Sequence, residues 1–151
     1  MQEVQRLASA VIGRVLGGRS LDAELGMLWR GHPSLSAQQR AATQDICFGT
    51  LRFLGRLDAL LDALLDKPLR DDRLRGLLRV ALYQLEYTRA AQHAIVDQAV
   101  HACGRLGLGA AKGLANAVLR AFVRRRVALV AQARHMDVGR FSYPQWWIDK
   151  L

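Results

Sequence analysis

A chain of 151 residues, 51% hydrophobic and carrying a formal charge of +9 with a sequence pI near 10.7, can bury a core as one domain. A charge of that sign favours an acidic partner, and the two cysteines exclude a disulfide-built secreted domain. No apolar run reaches the roughly 18 residues of a membrane span, and Met1 to Arg6 lacks the basic-then-apolar order of a signal peptide.

Aromatics make up only 7% of the chain, β-branched residues are few, and Ala and Leu dominate, so helix is expected throughout. In residues 3–16, Val4, Leu7, Val11 and Val15 recur at helical spacing with Ala8, Ile12 and Leu16 beside them, and Gly17-Gly18 stops the pattern. Ser20 caps a short second helix with Asp22 and Glu24 in its first turn, ending before Gly31-His32-Pro33. Ser36 and Gln39 have the spacing of a capping box. The apolar pattern that follows, from Ala41 through Phe48 to Leu65, is too long for one helix and is expected to break between Phe53 and Arg56.

Lys67-Pro68 closes that region. Asp71 or Asp72 caps the next helix, where Leu74, Leu77, Leu78, Ala81, Leu82 and Leu85 predict the central core element. Thr88 to Gln92 reads as a turn, and His93 to Leu106 as a helix carrying Ile95, Val96, Ala99, Val100 and Cys103, ended by Gly107-Leu-Gly109. The last helix, Lys112 to Arg134, holds Lys112, Arg120, Arg124, Arg125, Arg126 and Arg134 and no acid. Its stripe of Leu114, Val118 and Phe122, with Ala115 and Leu119 beside them, is expected to face inward, leaving the row Lys112, Asn116, Arg120, Arg124 outward. The pattern predicts an all-α bundle of about seven helices with short connections. Residues 1–134 read as one domain. Residues 135–151, with aromatics gathered around Pro144, read as the start of a linker into a further domain.

Enzymatic signals are sparse. Gly107-Leu-Gly109 lies between helices with no strand before it, which does not fit a nucleotide cradle. His93, Asp97 and His101 share a helix face without a further ligand to complete a metal set. Asp58, Asp62 and Asp66 recur every four residues as a solvated face would. Cys47 and Cys103 sit in apolar helical patterns, as small buried residues of a reducing cytoplasm do. All but three of the 22 basic residues are Arg, whose planar fork matches phosphate, so nucleic acid is the partner expected. The candidate contacts are Arg120, Arg124, Arg125, Arg126 and Lys112, with Arg105 behind them. For Arg124 to Arg126 a solvated helix end is the competing reading. Tyr83 and Tyr87 are expected to pack half-buried rather than to stack on bases.

Several stretches together resemble a known family: Gln44 to Arg52 followed by Arg56-Leu-Asp58, Asp66-Lys-Pro-Leu69, Gly76 to Arg89, His93 to Val100, and Lys112 to Arg120. In order they resemble the NusB-like RNA-binding fold, and more closely the N-terminal domain of the RsmB-type rRNA cytosine-C5 methyltransferases. The segment Phe141-Ser-Tyr-Pro-Gln-Trp-Trp-Ile-Asp-Lys-Leu151 resembles the passage from that domain into their catalytic part. The chain departs from the family's usual pattern at Ala91-Gln92 and at Tyr143.

The resemblance implies a cytoplasmic domain that grips or positions 16S rRNA and adds Arg52 and Arg56 as contacts, although Arg52 could equally brace the fold against a helix end or Asp58. It also implies S-adenosylmethionine and a catalytic cysteine in a domain not present here, so this chain is expected to hold no catalytic, cofactor or metal residues. A second partner is the catalytic domain of the parent chain. Two alternatives stand beside this reading: an antitermination factor of the NusB type that pairs leader RNA with a ribosomal protein, and a protein docking module.

Overall fold

The computed structural model describes residues 2–135, and they form an all-α bundle. The elements are α1 (Gln2–Leu16), α2 (Leu21–Gly31), α3 (Ala37–Arg52), α4 (Leu54–Leu64), α5 (Asp72–Tyr87), α6 (Gln92–Arg105), a 3₁₀ turn (Gly109–Ala111) and α7 (Lys112–His135). The segment expected to link to a further domain lies, from residue 136 on, outside the described residues.

Local chemistry sets most of the boundaries. Ser36 and Gln39 close a reciprocal capping box: Gln39 N–H donates to Ser36 Oγ at 3.0 Å and Ser36 N–H to Gln39 Oε1 at 2.9 Å. Asp71 caps α5 by accepting from the N–H groups of Arg73 and Leu74. The long apolar pattern breaks at Phe53, which ends α3 and starts α4, while Gly55 lies inside α4. At the end of α6, Gly107 takes φ +75°, and Leu108 N–H reaches Cys103 O at 2.7 Å, closing the helix with a residue that has no Cβ to strain.

The expectation of a central α5 is met, since α5 packs against α1, α3, α4, α6 and α7. A helix touched on so many sides must be apolar nearly all round, and Leu74, Leu77, Leu78, Val80, Ala81, Leu82 and Leu85 are buried in it. The polar side chains it also buries then need partners. Gln84 accepts from Gln5 Nε2 of α1 at 2.8 Å, and Tyr83 donates to Asp45 Oδ2 of α3 at 3.3 Å. Close approach explains one glycine: the Tyr83 ring occupies the space where a Cβ on Gly49 would stand.

Two expectations are corrected here. Asp58 is not part of a solvated row: it is half-buried and accepts from Arg75 Nε at 3.1 Å and from Arg79 Nε at 2.8 Å, while Asp62 and Asp66 are exposed as expected, Asp62 also accepting from Arg75 Nη2 at 2.9 Å. Opposite charges on adjacent helices find each other when the apolar rows beside them pack. Leu114 is 43% exposed rather than buried, because the inward stripe of α7 is Ala115, Val118, Leu119 and Phe122. Phe48, counted in the apolar pattern of α3, is likewise exposed.

Candidate functional site

The basic face of α7 stands between the start of α6 on one side and the end of α4 with its following loop on the other. Lys112 opens the helix and is exposed, and a Cβ on Gly104 of α6 would stand 3.0 Å from its Nζ. Arg120 Nε donates to Asn116 Oδ1 at 2.9 Å one turn back, and Arg120 Nη2 lies 3.7 Å from Asp97 Oδ1 of α6. Both partners of that ion pair are about half exposed or more, so a phosphate can compete with it. Arg124 and Arg125 are exposed, and among the described residues neither has a hydrogen-bond or ion-pair partner.

Arg126 differs from its two neighbours. Its Nη1 donates to Leu85 O at 3.2 Å, and its Nε lies 3.6 Å from Oε2 of the buried Glu86. A cation at the last turn of α5 meets both the carbonyl end of the helix dipole and a carboxylate that burial would otherwise destabilise. The Arg124-Arg125-Arg126 run thus splits into two outward groups and one brace.

Arg52 and Arg56 occupy a second place, at the α3–α4 junction. Their guanidinium carbons lie 5.3 and 5.4 Å from the centroid of the Phe53 ring. Phe53 stacks on Tyr87 with centroids 4.3 Å apart and planes within 6°, and Tyr87 stacks on Tyr83 at 5.4 Å. The pairing of Arg52 with Asp58 does not form, because Asp58 is taken by Arg75 and Arg79. Phe53 was legible only as a chain break, and its role as the ring under two arginines comes from the turn at that break.

The structure brings together residues that sequence spacing left apart. Gln92, His93 and Val96 of α6 face Arg120, Val123 and Arg124 of α7 across a pocket of about 450 Å³. On the other side of α7, Arg124 and Arg125 edge a groove of about 580 Å³ walled by Leu64, Leu65, Leu69 and Leu114. Among the described residues no three His, Cys, Asp or Glu side chains converge as metal ligands would, and no helix is long and apolar enough to cross a membrane. Burial pushes the Cys47 thiol up to about 12 and raises that of Cys103 as well, the opposite of what a thiolate nucleophile needs.

Comparison with known proteins agrees with this architecture. The model of the NusB family matches residues 3–124. The ribosomal RNA small subunit methyltransferase B of Serratia proteamaculans is 36% identical over 151 residues, covering 98% of this chain and 34% of that protein. The proteins of the same name from Sodalis glossinidius and Pseudomonas putida are 39% and 38% identical, over 93% of this chain. The chain thus spans about a third of the length of the curated relatives it matches.

Proposed function

The chain belongs to the NusB family, and from that membership and the free cations of α7 we propose that it is the RNA-binding part of a cytoplasmic small-subunit rRNA methyltransferase. The observation that carries the reading is the pair Arg124 and Arg125, exposed on a helix without an acid and lacking a protein partner among the described residues. Two guanidinium groups left unpaired at the edge of a concave surface suit phosphate oxygens, which they can hold bidentately. Lys112 and Arg120 extend the same face, and Arg52 and Arg56 supply a second contact where a base can stack beside the cations. Arg126 enters as the brace that holds α7 on α5.

In this reading the domain holds the small-subunit rRNA in place while the remainder of the parent protein transfers a methyl group to cytosine C5. S-adenosylmethionine would supply that methyl group. The described residues contain no strand and no glycine-rich turn from strand to helix, so they do not fit that cofactor, and the domain's share of the reaction is binding and orientation.

A titration of a labelled 16S rRNA fragment at several salt concentrations tests the proposal. Arg124→Ala with Arg125→Ala should weaken binding and lower the slope of log affinity against log salt by roughly 1.5, about 0.7 to 0.9 per lost phosphate contact. Unchanged affinity together with an unchanged slope would overturn it.

A further inference from the structure

The pocket between α6 and α7 has features that a simple phosphate-binding face does not need. Its volume of about 450 Å³ is that of a small-molecule site, and its lining is divided by chemistry. Val96, buried, and Val123, partly buried, form an apolar floor. Arg120 and Arg124, one turn apart on α7, carry the charge, and Gln92 and His93 add polar side chains from α6. A surface that only neutralises a duplex backbone has no use for a hollow with an apolar floor, because paired bases stay inside the stack. An unpaired nucleotide presents both halves of the match: a flat ring to lay on Val96 and Val123, and a phosphate within reach of cationic forks.

We propose that this pocket takes one unpaired nucleotide of the bound RNA, its base seated on Val96 and Val123 and its phosphate held by Arg120 and Arg124. The proposal rests on the RNA-binding reading above and adds that the RNA is gripped at a single-stranded position. Arg124 serves both levels, since it lines the pocket and stands beside Arg125 on the open face. Arg120 must exchange its half-exposed contact with Asp97 for the phosphate, a small loss for a pair so open to water.

The test compares a labelled ten-nucleotide single strand with a blunt duplex of equal length, by fluorescence anisotropy at one salt concentration. Wild-type protein is expected to favour the single strand about tenfold, the scale of roughly 60 Å² of apolar surface removed from water where a base covers the two valines. Val123→Phe, which fills the floor, should remove that preference and leave the duplex affinity within about twofold, with circular dichroism to show that the helices persist. Should that variant fail to fold, the wild-type protein carries the test. Ultraviolet crosslinking to a single strand bearing 4-thiouridine should mark the tryptic peptide 90–105, which contains Gln92, His93 and Val96. Equal affinity for strand and duplex in the wild type, a preference that survives Val123→Phe, or crosslinks confined to the α3–α4 junction would each overturn the pocket while leaving the RNA-binding reading intact. Absence of binding to either RNA would overturn both.

Discussion

Cys47 shows how burial turns one side chain into a dependence on pH. It is fully buried, accessible to no solvent, and its thiol is pushed up to about 12, chiefly by the loss of water around the thiolate. The folded chain therefore holds the proton over a range in which the unfolded chain releases it. The stability this gives is fully present below the unfolded value near 9 and is lost as pH rises through 12, amounting to about 4 kcal/mol at most. Tyr83, also raised to about 12 by burial and then by Asp45, adds a loss of the same sign that begins nearer 10. Urea midpoints measured from pH 8 to 11 should fall with rising pH, and Cys47→Ala should flatten the earlier part of that fall. A midpoint independent of pH in the wild type would contradict the burial argument.

Arg126 and Arg124 divide at the same scale. Removing the Arg126 guanidinium takes a cation from buried Glu86 and a donor from Leu85 O, so Arg126→Ala should destabilise the fold by about 2 kcal/mol. Arg124→Ala should change stability by less than about 0.5 kcal/mol and act on RNA affinity instead. Thermal unfolding of the two variants decides between brace and ligand at each position. Sequence could not make this division, since three consecutive arginines look alike until the helix is placed. A rotation of about 100° per residue then sends one of them to α5 and leaves the others in solvent.

Between helices, the contact that most needs explaining is α4 against α5. Asp58 accepts from two arginines of α5, with side-chain exposures of 27% for the acid and 14 to 17% for the bases. Such a pair, half out of water and bonded through several N–H groups, is worth more than an exposed ion pair. Asp58→Ala should cost about 2 kcal/mol, because it removes the carboxylate to which Arg79 donates and leaves Arg75 with Asp62 alone. A urea midpoint within error of the wild type would show that water replaces the carboxylate.

The helices themselves were largely readable. Ser36 with Gln39, Asp71, and the glycine after α6 each act through neighbours in the chain, so their spacing suffices to place a boundary. What spacing could not supply was the partner of each polar row. An Asp every fourth residue looks the same whether it meets water or an arginine from a helix beginning a dozen residues later. Leu114 departs from the pattern for a related reason: at the first turn of α7 the edge of the stripe is defined by few residues, and of the adjacent pair Leu114 and Ala115 only Ala115 is buried.

For the whole molecule, charge is the signal that sequence and fold share. The excess of +9 pointed to a polyanion, and α7 supplies an exposed basic face without an acid of its own. The pocket was not readable, because Val96 and Val123 are ordinary apolar residues in any sequence pattern. Their place in one pocket comes from the packing of α6 on α7, which spacing within either helix does not reveal. The stacked series Phe53, Tyr87 and Tyr83 likewise joins residues from two helices and the break before a third.

The hydrogen bond from Gln5 to Gln84 joins residues 79 apart in the chain, and the helix that carries Gln5 packs on α3, α5 and α6. During synthesis α1 therefore leaves the ribosome with its apolar face, Val4, Leu7, Val11 and Ile12, long before α5 and α6 exist to cover it. At about 5 to 20 residues per second, that wait lasts several seconds, far longer than a helix takes to form. Among the described helices, the earliest to be made is thus among the last to be locked in place. For that interval the nascent chain presents an oily stripe which only chaperones or a transient fold of its first half can shield.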